Sequence, residues 1–298
     1  MIELNSWYQY ECESVPDFEI YDIAIVGKGN EDDRISWTHD HLSKIAKKII
    51  TVSFSYDRLE IDLDDLNHSL DDFMKINIQA NSVVVDSTSL ALPELIHIFG
   101  MLNHNLINFD TIYVQPKTYA ANPQESLHQP LTFNLSEDGL GIRQVPPFIG
   151  VAGDSRVFIF LGWEGHRLGS LINMDELNSN NVSLHFGIPP FETGWENITL
   201  ANNVEHFDRV NRSSTLYEFS GANDPVETYK LLSKVHEAEL AEKKSLCIAP
   251  FGTKPGAVAT AYYATNNPKV IIYYDFVKNT TKRCTGSDIF HIWKFKVY

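Results

Sequence analysis

Three short stretches hold residue types that could handle a charged small molecule. Gly252-Thr253-Lys254-Pro255 follows the apolar run LCIAPF and precedes the alanine-rich stretch AVATAYYAT. Glycine tolerates a positive φ and the close approach of a ligand, and proline suits a first helical turn. Backbone N–H groups at a helix start, beside a lysine, attract an anion. Gly252, Thr253 and Lys254 are therefore expected to form a phosphate-facing turn; the plainer reading is an ordinary connection with a solvated lysine. Gly162-Trp163-Glu164-Gly165-His166-Arg167 follows RVFIFL in the same way. Glu164 and His166 are candidates for a general acid and base, with Arg167 and Lys254 holding a phosphodiester; the plainer reading makes Glu164 a helix cap. Ser87-Thr88-Ser89 after SVVVD is a third polar turn.

Other groupings carry less. Asp62, Asp64, Asp65, Asp71 and Asp72 crowd together, but such carboxylate runs are usually solvated, and the His39-Asp40-His41 pair lacks a third ligand. Gly27-Lys28-Gly29 begins a dinucleotide fingerprint whose third glycine would fall at Asp32, so no cofactor motif is assigned. Walker A, GxSxG, HExxH and kinase signatures are absent from the sequence. Neither a metal nor a cofactor is expected.

The elements that must position these residues repeat. Strand, polar turn, helix and strand are expected over Ser82–Gln115 and again over Ser245–Asp275, at similar spacing. YDIAIV before Gly27 and RVFIFL before Gly162 supply an earlier strand for each copy. A helix is expected over Ser36–Ile50, then the alternating TVSFSYDRLEIDL and an acidic, helix-compatible connector. Asp224, Pro225 and Glu227 begin a second clear helix, preceded by a poorly patterned segment from Asn197 to Arg212. Residues 1–20 read as an irregular arm, and the alternating tail IFHIWKFKV as a strand closing an edge. Turn formers concentrate near residues 120–150. The expected fold is α/β: two Rossmann-like halves with parallel sheets, 1–130 and 131–298, related by internal duplication. Val83–Gln115 should superpose on Leu246–Tyr274.

In such sheets ligands bind beyond the carboxyl ends of the strands. That rim collects Gly27, Lys28, Ser87, Thr88 and Lys117 from the first half. From the second it collects Gly162, Arg167, Gly252, Thr253, Lys254 and Tyr274. Local basic groups in a chain of net charge −15 suit a phosphorylated small ligand and exclude a protein that coats nucleic acid nonspecifically. Cys12, Cys247 and Cys284 are isolated, the start is acidic, and no apolar run of about 18 residues appears, so a cytoplasmic protein without a membrane span is expected.

SLCIAPFGTKPGAVATAYYA resembles the strand, GTKP turn and small-residue helix of CARF domains, the Rossmann-like sensors of cyclic oligonucleotides. VVVDSTSL is similar to a degenerate copy of that element, without its glycine and lysine. Two such units in one chain are similar in plan to SAVED domains, which are fused CARF-like pairs. The resemblance implies a sensor in prokaryotic antiviral defence that binds a nucleotide-like ligand in a cleft between its halves and acts on an effector or other partner protein. Two alternatives stay open: an enzyme of nucleotide or phosphodiester chemistry using Glu164 and His166, and a ligand-free interaction subunit.

Overall fold

A computed structural model describes the chain apart from residues 30–31, 125–130, 179, 211–213 and 281–282. The elements run β1 (Ile2–Glu11), β2 (Tyr21–Gly27), α1 (Asp33–Ile45), β3 (Ala46–Ser55), β4 (Glu60–Leu63), β5 (Leu66–Ser69), α2 (Leu70–Met74), β6 (Val83–Asp86), α3 (Leu92–His104) and β7 (Phe109–Tyr119). They continue with β8 (Ser136–Gln144), β9 (Arg156–Phe160), α4 (His166–Ile172), β10 (Val182–Gly187), α5 (Trp195–Asn203), a 3-10 segment (Val204–Arg209) and β11 (Leu216–Ser220). Last come α6 (Pro225–Ala241), β12 (Leu246–Pro250), α7 (Lys254–Asn266), β13 (Ile271–Asn279) and β14 (Cys284–Val297). Met1–Ala120 with Thr281–Tyr298 make one compact unit and Ala121–Thr280 the other.

Both sheets are mixed rather than purely parallel. The first unit orders its strands β1-β14-β7-β6-β2-β3-β4-β5, of which β7, β6, β2 and β3 run parallel. The second orders them β11-β10-β9-β12-β13-β8, parallel throughout except for β8. The central parallel strands β6 (VVVD) and β12 (LCIAP) are buried throughout, as strands covered on both faces must be. In the second unit Val157, Ile159 and Leu161 join Leu168 and Leu171 of α4 in one core. The opposite face of β9 meets α7, where a Cβ on Gly256 would lie 3.2 Å from the Phe160 ring. Small residues let α7 sink in: Pro255 to Ala264 are all buried.

Several boundaries depart from expectation. The tail does not close an edge: β14 lies inside the first sheet, between β1 and β7, so the expected division at 130/131 becomes 120/121, with the last strand returned to the first unit. The supposed arm is β1, paired antiparallel with β14. The first helix ends at Ile45, because the following KKIITV is rich in β-branched residues and pairs with β2. The acidic connector is partly a hairpin, β4 to β5, whose turn holds Asp64 and Asp65 at φ of 48° and 67°. Short polar aspartates tolerate that region and support such tight turns. Part of the expected turn-rich seam, 125–130, lies outside the described residues. Asp224 caps α6 as expected, accepting from Val226 and Glu227 N–H at 2.8 and 3.0 Å.

Candidate functional site

In the second unit the strand order reverses between β9 and β12, so the turns after these strands flank the place where an open α/β sheet leaves a crevice. Both turns are glycine-bearing, and packing explains why. A Cβ on Gly162 would overlap the Phe251 carbonyl oxygen, and one on Gly252 would lie 3.1 Å from the Leu161 carbonyl oxygen. Gly252 does not use the positive φ that a glycine tolerates; closeness to β9, rather than a left-handed backbone, calls for glycine there.

The β9 turn is filled by the chain itself. Asn203 Nδ2 donates to the Gly162 carbonyl at 2.7 Å, a Cβ on Gly165 would overlap the Asn202 carbonyl oxygen, and one on Gly169 would lie 2.7 Å from the His206 ring. Trp163 packs against Phe133 and Trp195, with ring centroids 4.4 and 5.0 Å apart. The backbone approach that such glycines would offer a phosphate is taken by α5 and the 3-10 segment.

Glu164, Arg167 and Asp275 form a nearly buried ionic cluster. Glu164 Oε1 accepts from the N–H groups of Leu135 and Ser136 at 3.2 and 3.0 Å and from Ser136 Oγ at 2.7 Å. Its Oε2 meets Arg167 at 2.6 Å, and Arg167 Nε meets Asp275 at 3.2 Å. One guanidinium against two carboxylates has no surplus charge for an anion. Glu164 is thus committed to anchoring the start of β8, while His166 is exposed at the first residue of α4.

Gly252, Thr253 and Lys254 are half-buried at the start of the thirteen-residue α7. Thr253 Oγ1 accepts the Gly256 N–H at 3.4 Å and donates to the Ala222 carbonyl at 2.8 Å, tying this turn to the one after β11. Lys254 holds the first helical position, where its charge adds to the helix dipole rather than offsetting it. Tyr274, half-buried on β13, packs edge-on against Phe276 at 5.1 Å.

In the first unit the corresponding turn is closed. Ser87 Oγ donates to the Ile112 carbonyl at 2.7 Å, and Thr88 Oγ1 accepts the Val114 N–H at 3.0 Å. Both residues are buried. Asp86 accepts from Thr38, Thr88 and Ser89. Gly27 packs so closely that a Cβ would overlap the Ser89 carbonyl oxygen. Lys28 bridges Asp62 and Asp65 at 2.8 and 2.9 Å, and those two carboxylates raise its pKa. Lys117 lies 3.4 Å from Glu13.

Sequence reasoning passed over Asp32 and Arg34. Asp32 caps α1 and pairs with the buried Arg34 at 2.7 Å and with Arg283 at 3.5 Å. Burial would raise its carboxyl, but the hydrogen bond and charge of Arg34, with Arg283, outweigh this and hold it well below the usual carboxylate range. The Asp-Asp-Arg-Ile start was a readable capping signal. Among the described residues no cluster of His, Cys, Asp and Glu could hold a metal ion, and no helix is long and apolar enough to cross a membrane.

Comparison with protein-family models, with curated proteins and with solved structures finds no match to this chain.

Proposed function

We propose that the second unit binds a nucleotide-like phosphorylated small molecule at the Gly252-Thr253-Lys254 turn, and that the first unit is a Rossmann-like copy that has lost this site. The observation that carries the reading is Lys254: a lysine at the amino end of a buried helix, half-exposed, beside the point where the strand order reverses.

Duplication is supported by matching features of the two units. Parallel strands β3-β2-β6-β7 and β10-β9-β12-β13 follow the same order, each with an antiparallel strand beyond the last. Gly27, the last residue of β2, and Gly162, two residues past β9, each press against the turn after the neighbouring parallel strand. Arg34 and Arg167 each stand second in the next helix, paired with a carboxylate just before it. The resemblance to CARF and SAVED sensors makes a cyclic oligonucleotide the first ligand to test. It also suggests a cytoplasmic role in antiviral defence, with a separate effector protein as the output. Catalysis by Glu164 and His166 is the weaker reading, because Glu164 already serves Ser136 and Arg167.

Calorimetry against linear and cyclic nucleotides, with product analysis of each mixture, tests this. Saturable binding without turnover that weakens in Lys254→Ala supports it. Binding that ignores Lys254, or none across the panel, overturns it.

A further inference from the structure

β11 is an edge of the second sheet, five residues long, without the register breaks and positive-φ glycine found at the other long edges. Of the other edges, β5 is four residues long, β1 has a register break between Leu4 and Ser6, and β8 carries Gly141 at φ 72° beside a break in β13. Breaks, glycines and short length all discourage another strand from adding on. β11 reads LYEFS, pairs with β10 in unbroken register, and holds neither proline nor lysine.

Its free side presents both backbone and apolar groups. The Ser220 carbonyl accepts from Ile188 N–H at 2.8 Å, which turns the amides of Ser220, Glu218 and Leu216 towards β10. Alternate residues of a strand address opposite edges, so the N–H and C=O of Tyr217 and Phe219 point outward. Leu216, Tyr217 and Phe219 are 44%, 45% and 53% exposed. Tyr217 and Phe219 extend an aromatic surface begun by Phe186 and Phe207, with Phe186 to Phe219 centroids at 5.9 Å and Phe207 to Tyr217 at 6.3 Å.

The geometry points to β11 as a docking edge for an extended segment of a partner protein in which apolar residues alternate with Lys or Arg. Main-chain bonds to Tyr217 and Phe219 would provide the pairing, apolar side chains would cover the aromatic surface, and a basic residue would face Glu218. Charge selects this occupant over a second copy of the chain. A full-overlap antiparallel pairing of two β11 strands sets Glu218 against Glu218, and each copy carries a net charge of −15. The inference is independent of any ligand at Lys254.

A display library of random ten-residue peptides, selected on the intact protein and counter-selected on Phe219→Lys, tests it. The expected winners alternate apolar and basic residues. They should lose at least tenfold in affinity when the amides facing Tyr217 and Phe219 are N-methylated, and protect those two protein amides from hydrogen exchange. Glu218→Lys, at an unchanged melting temperature, should turn the selection towards acidic peptides. Winners without alternation or indifferent to N-methylation, or no winners that depend on β11, overturn the proposal. So does self-association in sedimentation velocity that Tyr217→Lys abolishes, since it would make a second copy the occupant.

Discussion

Gly162 meets Phe251 so closely that a single added methyl group would overlap the Phe251 carbonyl oxygen. Both sides of this contact are backbone at the ends of adjacent parallel strands, so neither can swing away. Gly162→Ala should therefore destabilise the second unit by about 1–3 kcal/mol, the usual cost of overpacking, and towards the upper end. Gly27→Ala should do the same to the first unit. Gly252→Ala, with 3.1 Å to its neighbour, should cost less. Urea unfolding of the three variants gives the ranking, and an equal cost at Gly252 would contradict it.

Lys254→Ala should leave the melting temperature nearly unchanged, as substitutions at partly exposed positions usually stay within about 0.5 kcal/mol. If a phosphate sits at this turn, the same change should weaken binding by roughly ten- to a hundredfold, the range of one charge-assisted contact. Lys28→Ala and Lys117→Ala, whose ammonium groups already meet carboxylates, should leave affinity unaltered. Titration and melting on the same samples separate the two effects.

Arg167→Met should lower stability sharply whether or not ligand is present. It strands Glu164 and Asp275, which are 6% and 8% exposed, without their shared cation. Breaking a buried pair in this way costs about 3–5 kcal/mol. An arginine kept only to hold a ligand would leave apo stability intact, so a calorimetric scan of ligand-free protein decides its role.

Acid should destabilise the second unit through His185. Its Nε2 lies 2.7 Å from Ser220 Oγ, and Ser220 Oγ lies 2.8 Å from Thr228 Oγ1, which donates to the Asp224 carbonyl. With the Thr228 proton so placed, Ser220 donates to Thr228 and His185 donates from Nε2. Burial pushes the folded pKa of His185 from 6.5 down to about 3. Between those values the unfolded chain holds the extra proton. The stability tied to neutral His185 is thus fully present above pH 6.5 and lost as pH falls towards 3. The slope is up to about 1.4 kcal/mol per pH unit. His291, buried and pushed down to about 4, adds a term of the same sign in the first unit. His185→Gln should flatten the pH dependence of chemical unfolding between pH 4 and 6.5, leaving the contributions of His41, His206, His236 and His291, whose pKa values burial also lowers. An unchanged slope would contradict this assignment.

Much of the parallel core was legible because its signals are local. Runs such as VVVD and LCIAP must be buried on both faces, Asp224-Pro225 starts a helix by its own hydrogen bonds and fixed φ, and the turns after β9 and β12 are marked by glycine. What the residue order does not contain is which distant groups claim a polar side chain. Glu164 reads equally as an acid, a cap or an anchor until β8 arrives to take its oxygens, and Lys28 reads as a phosphate ligand until the β4–β5 hairpin brings Asp62 and Asp65 to it. β14 was misread for a related reason. Only its neighbours decide whether a strand lies at an edge, as β11 does, or between two others, as β14 does. The amino-acid sequence thus determined where the strands, helices and glycine turns could form, whereas only the tertiary structure decided which charges are spent inside the fold, because ion pairs and strand pairing act across separations that no local pattern encodes.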